Sequence, residues 1–442
     1  MKQEQLQDIR GNKRFINAWA FYDWANSAYS LVISSAIFPI FYGALFSAAG
    51  IDRIEILGGA IRSTPLISYV TAAAFVVVAL ASPLLSGIAD YVGNKKIFLK
   101  FYCYLGACSC MGLYFFSLEH IYFGLLCYFF GLIGFWGSIV FYNSYLPDIA
   151  YPEQQDAVSA KGFSLGYVGS VLLLIFNLAM VMNPGAFGFE ASGAGSLEAM
   201  RWSFVMVGIW WMGFSQYTFY VLPKGVSKPQ KVTRALLFNG YAELKRVYEA
   251  LSENLRLKRY LLAFFVYSMA VQTVMLVATY FGEQEIAWPN DSAKTTGLIV
   301  SILIIQILAM IGAQITSRVS QEIGNLKTLI AINCVWATMS IYAYFMVSPM
   351  QFYIAAGIVG LVMGGIQSLS RSTYSKYLPR TEDTASYFSF YDVAEKIGII
   401  IGMFLYGFID QITGSMRNAI LFLIVFFISG IVLLLRVPVK KN

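Results

Sequence analysis

Long apolar stretches alternate with short polar connections along nearly the whole chain of 442 residues. A helix that crosses the bilayer core, which is roughly 30 Å thick, needs about 20 predominantly apolar residues. Twelve stretches meet this requirement, at 16–46, 65–88, 97–117, 121–141, 158–182, 201–222, 259–282, 295–317, 327–347, 350–370, 386–409 and 417–436. The pattern therefore predicts an all-α polytopic membrane protein with twelve transmembrane helices, which we number as spans 1 to 12.

A longer polar segment separates the first six spans from the last six. It divides the chain into an N-terminal half at 1–222, a cytosolic linker at 223–258 and a C-terminal half at 259–442. Within the linker, apolar residues recur at helical spacing between charged residues, at Leu244, Val247, Tyr248, Leu251 and Leu255. This spacing predicts an amphipathic helix along the cytosolic membrane face, which either ties the halves together or has a regulatory role.

Two short motifs recur in the two halves at nearly the same distance. Residues 145–147 and 377–379 both read Tyr-Leu-Pro, 232 positions apart, and the Gly-Asn pairs at 93–94 and 324–325 are 231 positions apart. The repetition predicts two pseudo-symmetric six-helix halves. Carriers built in this way bind their substrate near the midplane between the halves and work by alternating access.

Composition and charge agree with this architecture. Hydrophobic residues make up 58% of the chain and charged residues 12%, about half the charged share of soluble proteins, which excludes an ordinary soluble enzyme. With the N-terminus inside, 25 of the 31 Lys and Arg residues fall on inner segments and 5 on outer ones. This bias predicts that both termini are cytoplasmic. The short loops and the lack of an organellar signal indicate a multi-pass protein of a prokaryotic plasma (inner) membrane.

The same composition limits the partners that we expect. All five cysteines lie in apolar stretches and His120 is the single histidine, so we expect no disulfide framework, no metal site and no cofactor. No nucleophile–base pair suggests an enzyme, and no phosphate-binding loop suggests ATP-driven transport. Orientation and anionic lipid explain the basic inner loops without nucleic acid. We expect a monomer in the lipid bilayer with a small-molecule substrate.

The loop after span 2, residues 86–96, reads SGIADYVGNKK. It resembles the signature loop of the major facilitator superfamily at Asp90, Gly93 and Lys95 and departs from it at two other positions. The resemblance implies the major facilitator fold and a gating role for the loop. Asp90 would pair with a helix N-terminus or an arginine when the cytosolic side is shut, and Gly93 would permit the tight turn. A plain solvated turn is the alternative.

A narrower resemblance begins in span 1, where residues 21–29 read FYDWANSAY. This motif resembles the hallmark of the vacuolar amino-acid effluxer family, which includes autophagy-related yeast transporters and bacterial relatives. Weaker matches lie at 142–147, 271–273 and 367–372. The resemblance implies secondary transport that exports amino acids. Met269 in span 7 stands where many relatives have an acidic residue, so coupling here can differ from theirs.

Polar residues in span 1 lie at the spacing of one helix face, at Asp23, Asn26, Ser27, Ser30 and Ser34. A polar stripe on a spanning helix faces a wet cavity or another helix rather than lipid. Asp23, Asn26 and Ser27 are therefore candidate substrate or coupling residues. Asp23 would contact a substrate amine or accept a proton; a structural charge pair is the alternative.

Span 11 carries three ionisable residues on neighbouring positions of one helix, Asp392, Glu395 and Lys396. Lys396 lies near mid-bilayer and needs a partner, because an unpaired ammonium there is costly. Asp392 and Glu395 are local candidates, and Asp23 is an interhelical one. The cluster is either a static ion network or a coupling and substrate-binding site. Gln272 in span 7 is a further candidate, with helix–helix contact as the alternative.

Arg371 ends span 10, where it either closes an inner gate or anchors the helix by extending to the interface. Taken together, these patterns predict a secondary active transporter with protons as the coupling ion. The family resemblance implies that it exports amino acids or similar small solutes. One alternative is a major facilitator carrier for sugars, peptides or drug-like compounds. Another is a membrane sensor or scaffold that does not transport.

Overall fold

The computed structural model describes residues 9–51, 53–56, 58–223 and 235–438, and within these ranges the chain is almost wholly helical. One antiparallel hairpin, β1 (Arg53–Ile56) and β2 (Gly59–Arg62), follows the first long helix, with Arg53 opposite Arg62. The all-α prediction is confirmed. The hairpin was not predicted, because it lies in a short connection between two spans.

The helices before the linker follow the predicted spans closely. They are α1 (Lys13–Ala28), a π-helical segment (Tyr29–Ile37), α2 (Phe38–Ala49), α3 (Ser63–Val92), α4 (Lys95–Gly112), α5 (Ile121–Asn143), the short α6 (Leu146–Ile149), α7 (Gln155–Met182) and α8 (Gly193–Val221). Short 3-10 turns follow α4 and α7, at Leu113–Phe115 and Pro184–Phe187. The segment from α1 to α2 is one continuous helical element, which explains the unusual length of span 1.

The linker and the second half are also helical. They contain α9 (Ala235–Glu253), α10 (Leu255–Glu285), α11 (Asp291–Ile323), α12 (Asn325–Phe345), α13 (Pro349–Tyr377), α14 (Thr384–Thr413), α15 (Met416–Phe422) and α16 (Ile424–Leu435). The predicted linker helix is present as α9. The side chains of Val247 and Leu251 are buried, as an amphipathic helix requires. Tyr248 is exposed, however, and Leu255 is exposed and begins α10, so the predicted apolar face is buried only in part. The side chain of Leu244 lies outside the described residues.

Ten helical elements in the described ranges are long and apolar enough to cross a membrane, compared with the twelve that we predicted. The other two predicted spans correspond to α8 and α14, which have 29 and 30 residues. At 1.5 Å per residue, helices of this length are roughly 43 Å long, which exceeds the bilayer core. They are less apolar because α8 carries Trp, Tyr, Ser and Gln, and α14 carries Asp392, Glu395 and Lys396.

The chain forms two compact units. Of the described residues, those within 13–142 and 165–233 form the first unit, and those within 1–12, 143–164 and 234–442 form the second. Residues 143–164 follow span 4 in the sequence, yet they pack with the helices of the C-terminal half. This segment therefore takes part in the second unit, and its contacts there are described below.

Glycines permit very close helix packing inside both units. In the first unit, a Cβ at Gly134 of α5 would strike the backbone of Gly106 in α4. In the second unit, α11 and α13 cross in the same way, and a Cβ at Gly364 would strike the carbonyl oxygen of Ala309. Small residues at helix crossings are typical of membrane proteins, where close van der Waals packing drives association.

An arginine near the beginning of α8 joins three elements of the first unit. Arg201 donates a hydrogen bond of 3.4 Å from Nη2 to the carbonyl oxygen of Phe116, the residue that follows the 3-10 turn after α4. Its guanidinium lies 5.7 Å from the ring centroid of Phe41 in α2. The arginine thus satisfies an orphan carbonyl at a helix end and contacts an aromatic face.

The second unit repeats this arrangement. Arg417, at the beginning of α15, donates to the carbonyl oxygens of Tyr344 and Met346 at the end of α12, at 2.8 and 2.6 Å. Its guanidinium lies 5.6 Å from the ring centroid of Phe281 in α10. Arg201 and Arg417 therefore connect corresponding spans in the two units. This correspondence is a third sign of internal repetition, and short sequence motifs did not reveal it.

Candidate functional site

Asp23 lies in α1 of the first unit and is 7% exposed. Its Oδ2 accepts a hydrogen bond of 2.7 Å from the hydroxyl of Tyr142, at the end of α5. One turn earlier, Trp19 donates from Nε1 to the carbonyl oxygen of Tyr142 at 2.8 Å and stacks on its ring. These contacts join the first motif, at 21–29, to the motif at 142–147. Asp23 is thus buried and held in a fixed orientation.

Asn26 and Ser27 continue the polar face of α1. Asn26 is 2% exposed, and its Oδ1 accepts a weak hydrogen bond of 3.5 Å from the Ser27 hydroxyl. A Cβ at Gly166 of α7 would strike the Ser27 Oγ, so α7 crosses α1 at this point. Part of the polar face therefore packs against a neighbouring helix.

The predicted stripe does not continue at α-helical spacing beyond Tyr29. The π-helical segment begins there, and the Ser35 hydroxyl bonds to the carbonyl oxygen of Ser30, five residues earlier, at 2.9 Å. In a π-helix the hydrogen bonds join residues five apart, so the rotation per residue differs from that of the α-helix assumed for the stripe. The place of Ser34 on the stripe therefore stays a prediction. Such π-segments occur frequently at functional sites.

The second unit brings together the four residues predicted from spans 7 and 11. The Lys396 ammonium, 0% exposed, lies 2.9 Å from Asp392 Oδ1 and 3.1 Å from Glu395 Oε2. Glu395 Oε1 accepts a hydrogen bond of 2.8 Å from Gln272 Nε2 on α10. The partner that Lys396 requires is thus supplied locally by α14. We call Gln272, Asp392, Glu395 and Lys396 the lysine cluster.

Met269 packs between α10 and α14 close to this cluster. It is 4% exposed, and a Cβ at Gly402 or Gly398 of α14 would lie 2.9 or 3.7 Å from atoms of Met269. Its thioether fills the space that these glycines leave and adds no charge. Among the four residues of the lysine cluster, all the charged ones therefore lie on α14.

Two tyrosines of α10 that the sequence did not mark as functional form hydrogen bonds with α13. The hydroxyl of Tyr260 donates to the carbonyl oxygen of Ser370 at 2.9 Å, and the hydroxyl of Tyr267 lies 2.7 Å from Ser370 Oγ. Ser370 belongs to the motif at 367–372. Both tyrosines are buried in an apolar sequence context, which gave no local signal for this role.

Arg371 is 3% exposed and contacts the segment 143–164. Its Nε donates to Ser159 Oγ and its Nη2 to the Ser159 carbonyl oxygen, both at 2.9 Å, while Nη1 donates to Asn143 Oδ1 at 3.2 Å. Its guanidinium also lies 4.2 Å from the ring centroid of Phe163. The guanidinium is thus enclosed by protein groups rather than extended into water, and its part in a gate stays a prediction.

A second polar cluster at the beginning of α7 was missed. The Asp156 side chain is 1% exposed and accepts hydrogen bonds from Asn325 Nδ2 at 2.9 Å, from Ser320 Oγ at 3.1 Å and from Lys376 Nζ. The recurrence of Gly324-Asn325 was the available signal, but it marked only a repeat. We call Asp156, Ser320, Asn325 and Lys376 the aspartate cluster.

The loop after span 2 forms the turn that its glycine predicts. Gly93 has a φ of 69° and ends α3 in the left-handed conformation, and its N–H bonds to the Asp90 carbonyl oxygen at 3.1 Å. Asp90 and Lys95 are half-buried, whereas the neighbouring Lys96 is buried and donates to the Leu222 carbonyl oxygen at 2.6 Å. The turn is confirmed, and gating by Asp90 and Lys95 stays a prediction.

The described ranges contain no group of three or more His, Cys, Asp or Glu side chains that could hold a metal ion. The lysine and aspartate clusters instead combine carboxylates with a lysine ammonium. Such groups suit electrostatic binding and proton transfer.

Comparison with known proteins places the chain in one family. A family model described as vacuole effluxer Atg22 like matches residues 11–442. An uncharacterized MFS-type transporter of Bacillus subtilis (strain 168), YxiO, is 32% identical over 436 residues, which are 97% of each chain. Autophagy-related protein 22 of Yarrowia lipolytica is 22% identical over 313 residues, 64% of this chain and 51% of that protein. This chain thus matches about half the length of the fungal protein.

Solved structures show the same fold. A crystal structure of a variant of the fucose:proton symporter FucP of E. coli matches with a TM-score of 0.67 and 14% sequence identity, covering 97% of this chain and 98% of that one. The chain therefore has the major facilitator fold and is an integral, multi-pass membrane protein.

Proposed function

Because the chain belongs to the Atg22-like vacuole effluxer family, we propose that it is a secondary active transporter that exports amino acids or similar small zwitterions. The two halves, 1–222 and 259–442, alternate access to a central site, and the linker 223–258 connects them at the cytosolic face. All twelve predicted spans cross the membrane, α8 and α14 included. Both termini lie in the cytoplasm, the membrane is the plasma membrane, and the carrier works as a monomer.

The observation that carries this proposal is the lysine cluster. An amino acid has one carboxylate and one ammonium, the same two charged groups that the cluster holds in contact. A substrate carboxylate can replace Glu395 on the Lys396 ammonium, while the released Glu395 accepts the substrate ammonium. Glu395 is the more accessible carboxylate, since its side chain is 16% exposed and that of Asp392 is 4% exposed. The exchange leaves no buried charge without a partner.

Proton coupling is consistent with the same groups. The cluster holds two carboxylates and one ammonium, so with all three ionised it carries one excess negative charge. Asp23 is a further buried carboxyl group in the first unit. Buried carboxyl groups within spanning helices are the usual proton carriers of membrane transporters.

The contacts of the segment 143–164 provide the cytosolic gate of this proposal. Arg371 and the aspartate cluster attach the beginning of α7 to the end of α11, the beginning of α12 and the end of α13. These polar contacts are strong when made and separable by water, as a gate requires. Asp90, Gly93 and Lys95 form the second part of the gate, after the superfamily loop that they resemble.

The proposal is tested by uptake and counterflow of a mixed labelled amino-acid pool in proteoliposomes, with and without an imposed pH gradient. We expect gradient-dependent flux in the wild type and a loss of at least about tenfold in Lys396→Ala, since breaking a buried charge pair exceeds 1.4 kcal/mol. Asp23→Asn removes a buried ionisable carboxyl group and is expected to lower the flux as well. Lys245→Ala is the matched control, because Lys245 on α9 is 67% exposed.

Absence of flux for every amino acid, in protein that is correctly folded, would contradict the substrate assignment and direct the search to sugars, peptides and drug-like solutes. Absence of flux for those solutes as well would favour a sensor or scaffold. Flux through Lys396→Ala equal to that of the wild type would remove the lysine cluster from the transport site.

A further inference from the structure

Within the proposed proton-coupled function, we propose that Asp392 is the residue that carries the transported proton, at its Oδ2 oxygen. The inference rests on the proposed function for its role in transport. It goes further in selecting one of three candidate carboxyl groups and one atom of that group. The hydrogen bonds of the three groups distinguish them.

Asp392 has one bonded oxygen and one without a partner. Oδ1 accepts a hydrogen bond of 2.9 Å from Lys396, whereas Oδ2 is buried and has no hydrogen-bond partner among the described residues. Asp392 as a whole is 3% exposed. A buried acceptor without a partner is costly, and a proton on Oδ2 removes the negative charge that makes it so.

The other two carboxyl groups are already engaged. Glu395 uses both oxygens, Oε1 with Gln272 and Oε2 with Lys396. Asp23 Oδ2 accepts the hydroxyl hydrogen of Tyr142, and neither oxygen of Asp23 is a buried acceptor without a partner. Protonation of either group at these oxygens would disturb an existing hydrogen bond. At Asp392 Oδ2 it disturbs none, and the Lys396 contact at Oδ1 stays in place.

The step is a simple proton transfer. The Asp392 carboxylate binds one proton at Oδ2 and becomes a carboxylic acid, no other bond is made or broken, and the cluster changes from one excess negative charge to neutral. Proton and substrate then use different carboxyl groups: Asp392 takes the proton, and Glu395 exchanges Lys396 with the substrate. This division explains why one lysine is paired with two carboxylates.

Few other ionisable groups face this position from the second unit. On its own helix these are Lys396 and Glu395, with Tyr391 next to it. From α10, Tyr267 interacts with Glu395. From α13, Arg371 and Tyr374 interact with Tyr391, and the rings of Tyr374 and Tyr391 are 4.9 Å apart. Protonation is thus governed chiefly by the lysine cluster itself.

The direct test is infrared difference spectroscopy of the full-length protein in lipid, recorded during a pH titration. The wild-type spectrum is expected to contain a carboxylic-acid C=O band that Asp392→Asn lacks and Asp392→Glu restores. Glu395→Gln is the matched control within the cluster and is expected to keep the band. A band of unchanged intensity in Asp392→Asn would overturn the assignment, as would a band that disappears in Glu395→Gln instead.

Because this measurement needs no substrate, it gives a result even if the chain transports no amino acid. A transport measurement then tests the coupling role. One pH unit is equivalent to 1.36 kcal/mol, so a carrier that moves one proton per substrate accumulates about tenfold per unit. We expect Asp392→Asn to lose this accumulation. Accumulation equal to that of the wild type, or wild-type accumulation driven by a sodium gradient alone, would overturn the proposal.

Discussion

Removal of the Asp156 carboxylate is expected to detach the beginning of α7 from the C-terminal helices. Asp156 accepts hydrogen bonds from three side chains, those of Ser320, Asn325 and Lys376, which lie on α11, α12 and α13. Asp156→Ala removes all three contacts and leaves Lys376 without its carboxylate partner. The segment 143–164 is then held by the Arg371 contacts and by hydrogen bonds that join Ser159 to Ser368, and Ser164 to Met310 and Gln314.

The magnitude follows from the burial of the pair. Breaking a buried charge pair costs about 3–5 kcal/mol. The Asp156 side chain is 1% exposed but that of Lys376 is 20% exposed, so water solvates the lysine in part and we expect about 3 kcal/mol. A difference of 1.4 kcal/mol changes an equilibrium tenfold, so the detached state should become about 100-fold more populated. Asp156→Asn keeps the shape and should give an intermediate change.

The assay is cysteine labelling. A single cysteine at position 160, where Ala160 is 0% exposed, reports opening of α7 in a variant from which the five native cysteines have been removed. When opening and closing are faster than labelling by a maleimide, the rate follows the population of the open state. Asp156→Ala should therefore label up to about 100-fold faster. Glu153→Gln, an exposed acidic residue in the same segment, should label at the parent rate.

Equal labelling rates for Asp156→Ala and its parent would refute this reasoning. They would mean that the aspartate cluster contributes little to holding the segment, and that the remaining contacts are sufficient. Faster labelling in Glu153→Gln by the same factor would show a general loosening of the segment rather than loss of a specific pair.

Two further predictions concern stability, measured as the midpoint of thermal unfolding in detergent. Arg417→Lys should lower the free energy of unfolding by about 2 kcal/mol, because the four hydrogen bonds of Arg417 are 2.6–2.9 Å long. Arg201→Lys should lower it less, because the two hydrogen bonds of Arg201 are 3.4 Å long. An equal loss of stability in the two variants would argue against this ranking. Gly364→Leu should prevent α11 and α13 from packing, because its Cβ would strike the Ala309 carbonyl oxygen, whereas Gly407→Leu meets no atom within 4 Å and should fold. Wild-type stability of Gly364→Leu would contradict the close crossing.

The lysine cluster was predictable because its members are near neighbours. Asp392 and Lys396 are four residues apart on one helix, so the helix places them side by side whatever surrounds them. The requirement for a partner to a mid-membrane lysine then follows from desolvation alone. Only the hydrogen bond between Glu395 and Gln272, which are 123 residues apart, depends on the packing of α10 against α14.

The π-helical segment marks a limit of pattern analysis. Its sequence, YSLVISSAI, is apolar and fits an α-helix by composition, and nothing local specifies hydrogen bonds between residues five apart. The α-helical spacing of the stripe therefore ends at Tyr29, whereas Asp23, Asn26 and Ser27, which precede the segment, keep it. Local periodicity is reliable only until the helix type changes.

The sequence by itself determined the helical, membrane-spanning class and nearly all helix positions, because the bilayer imposes length and polarity on every span. It also determined the ion pairs within single helices. Only the tertiary structure decided the aspartate cluster, whose Asp156 and Lys376 are 220 residues apart, and the contacts of Arg371 with Ser159, 212 residues apart. Such pairs depend on which helices pack together, and that choice is made by side-chain fit over the whole unit rather than by any local spacing.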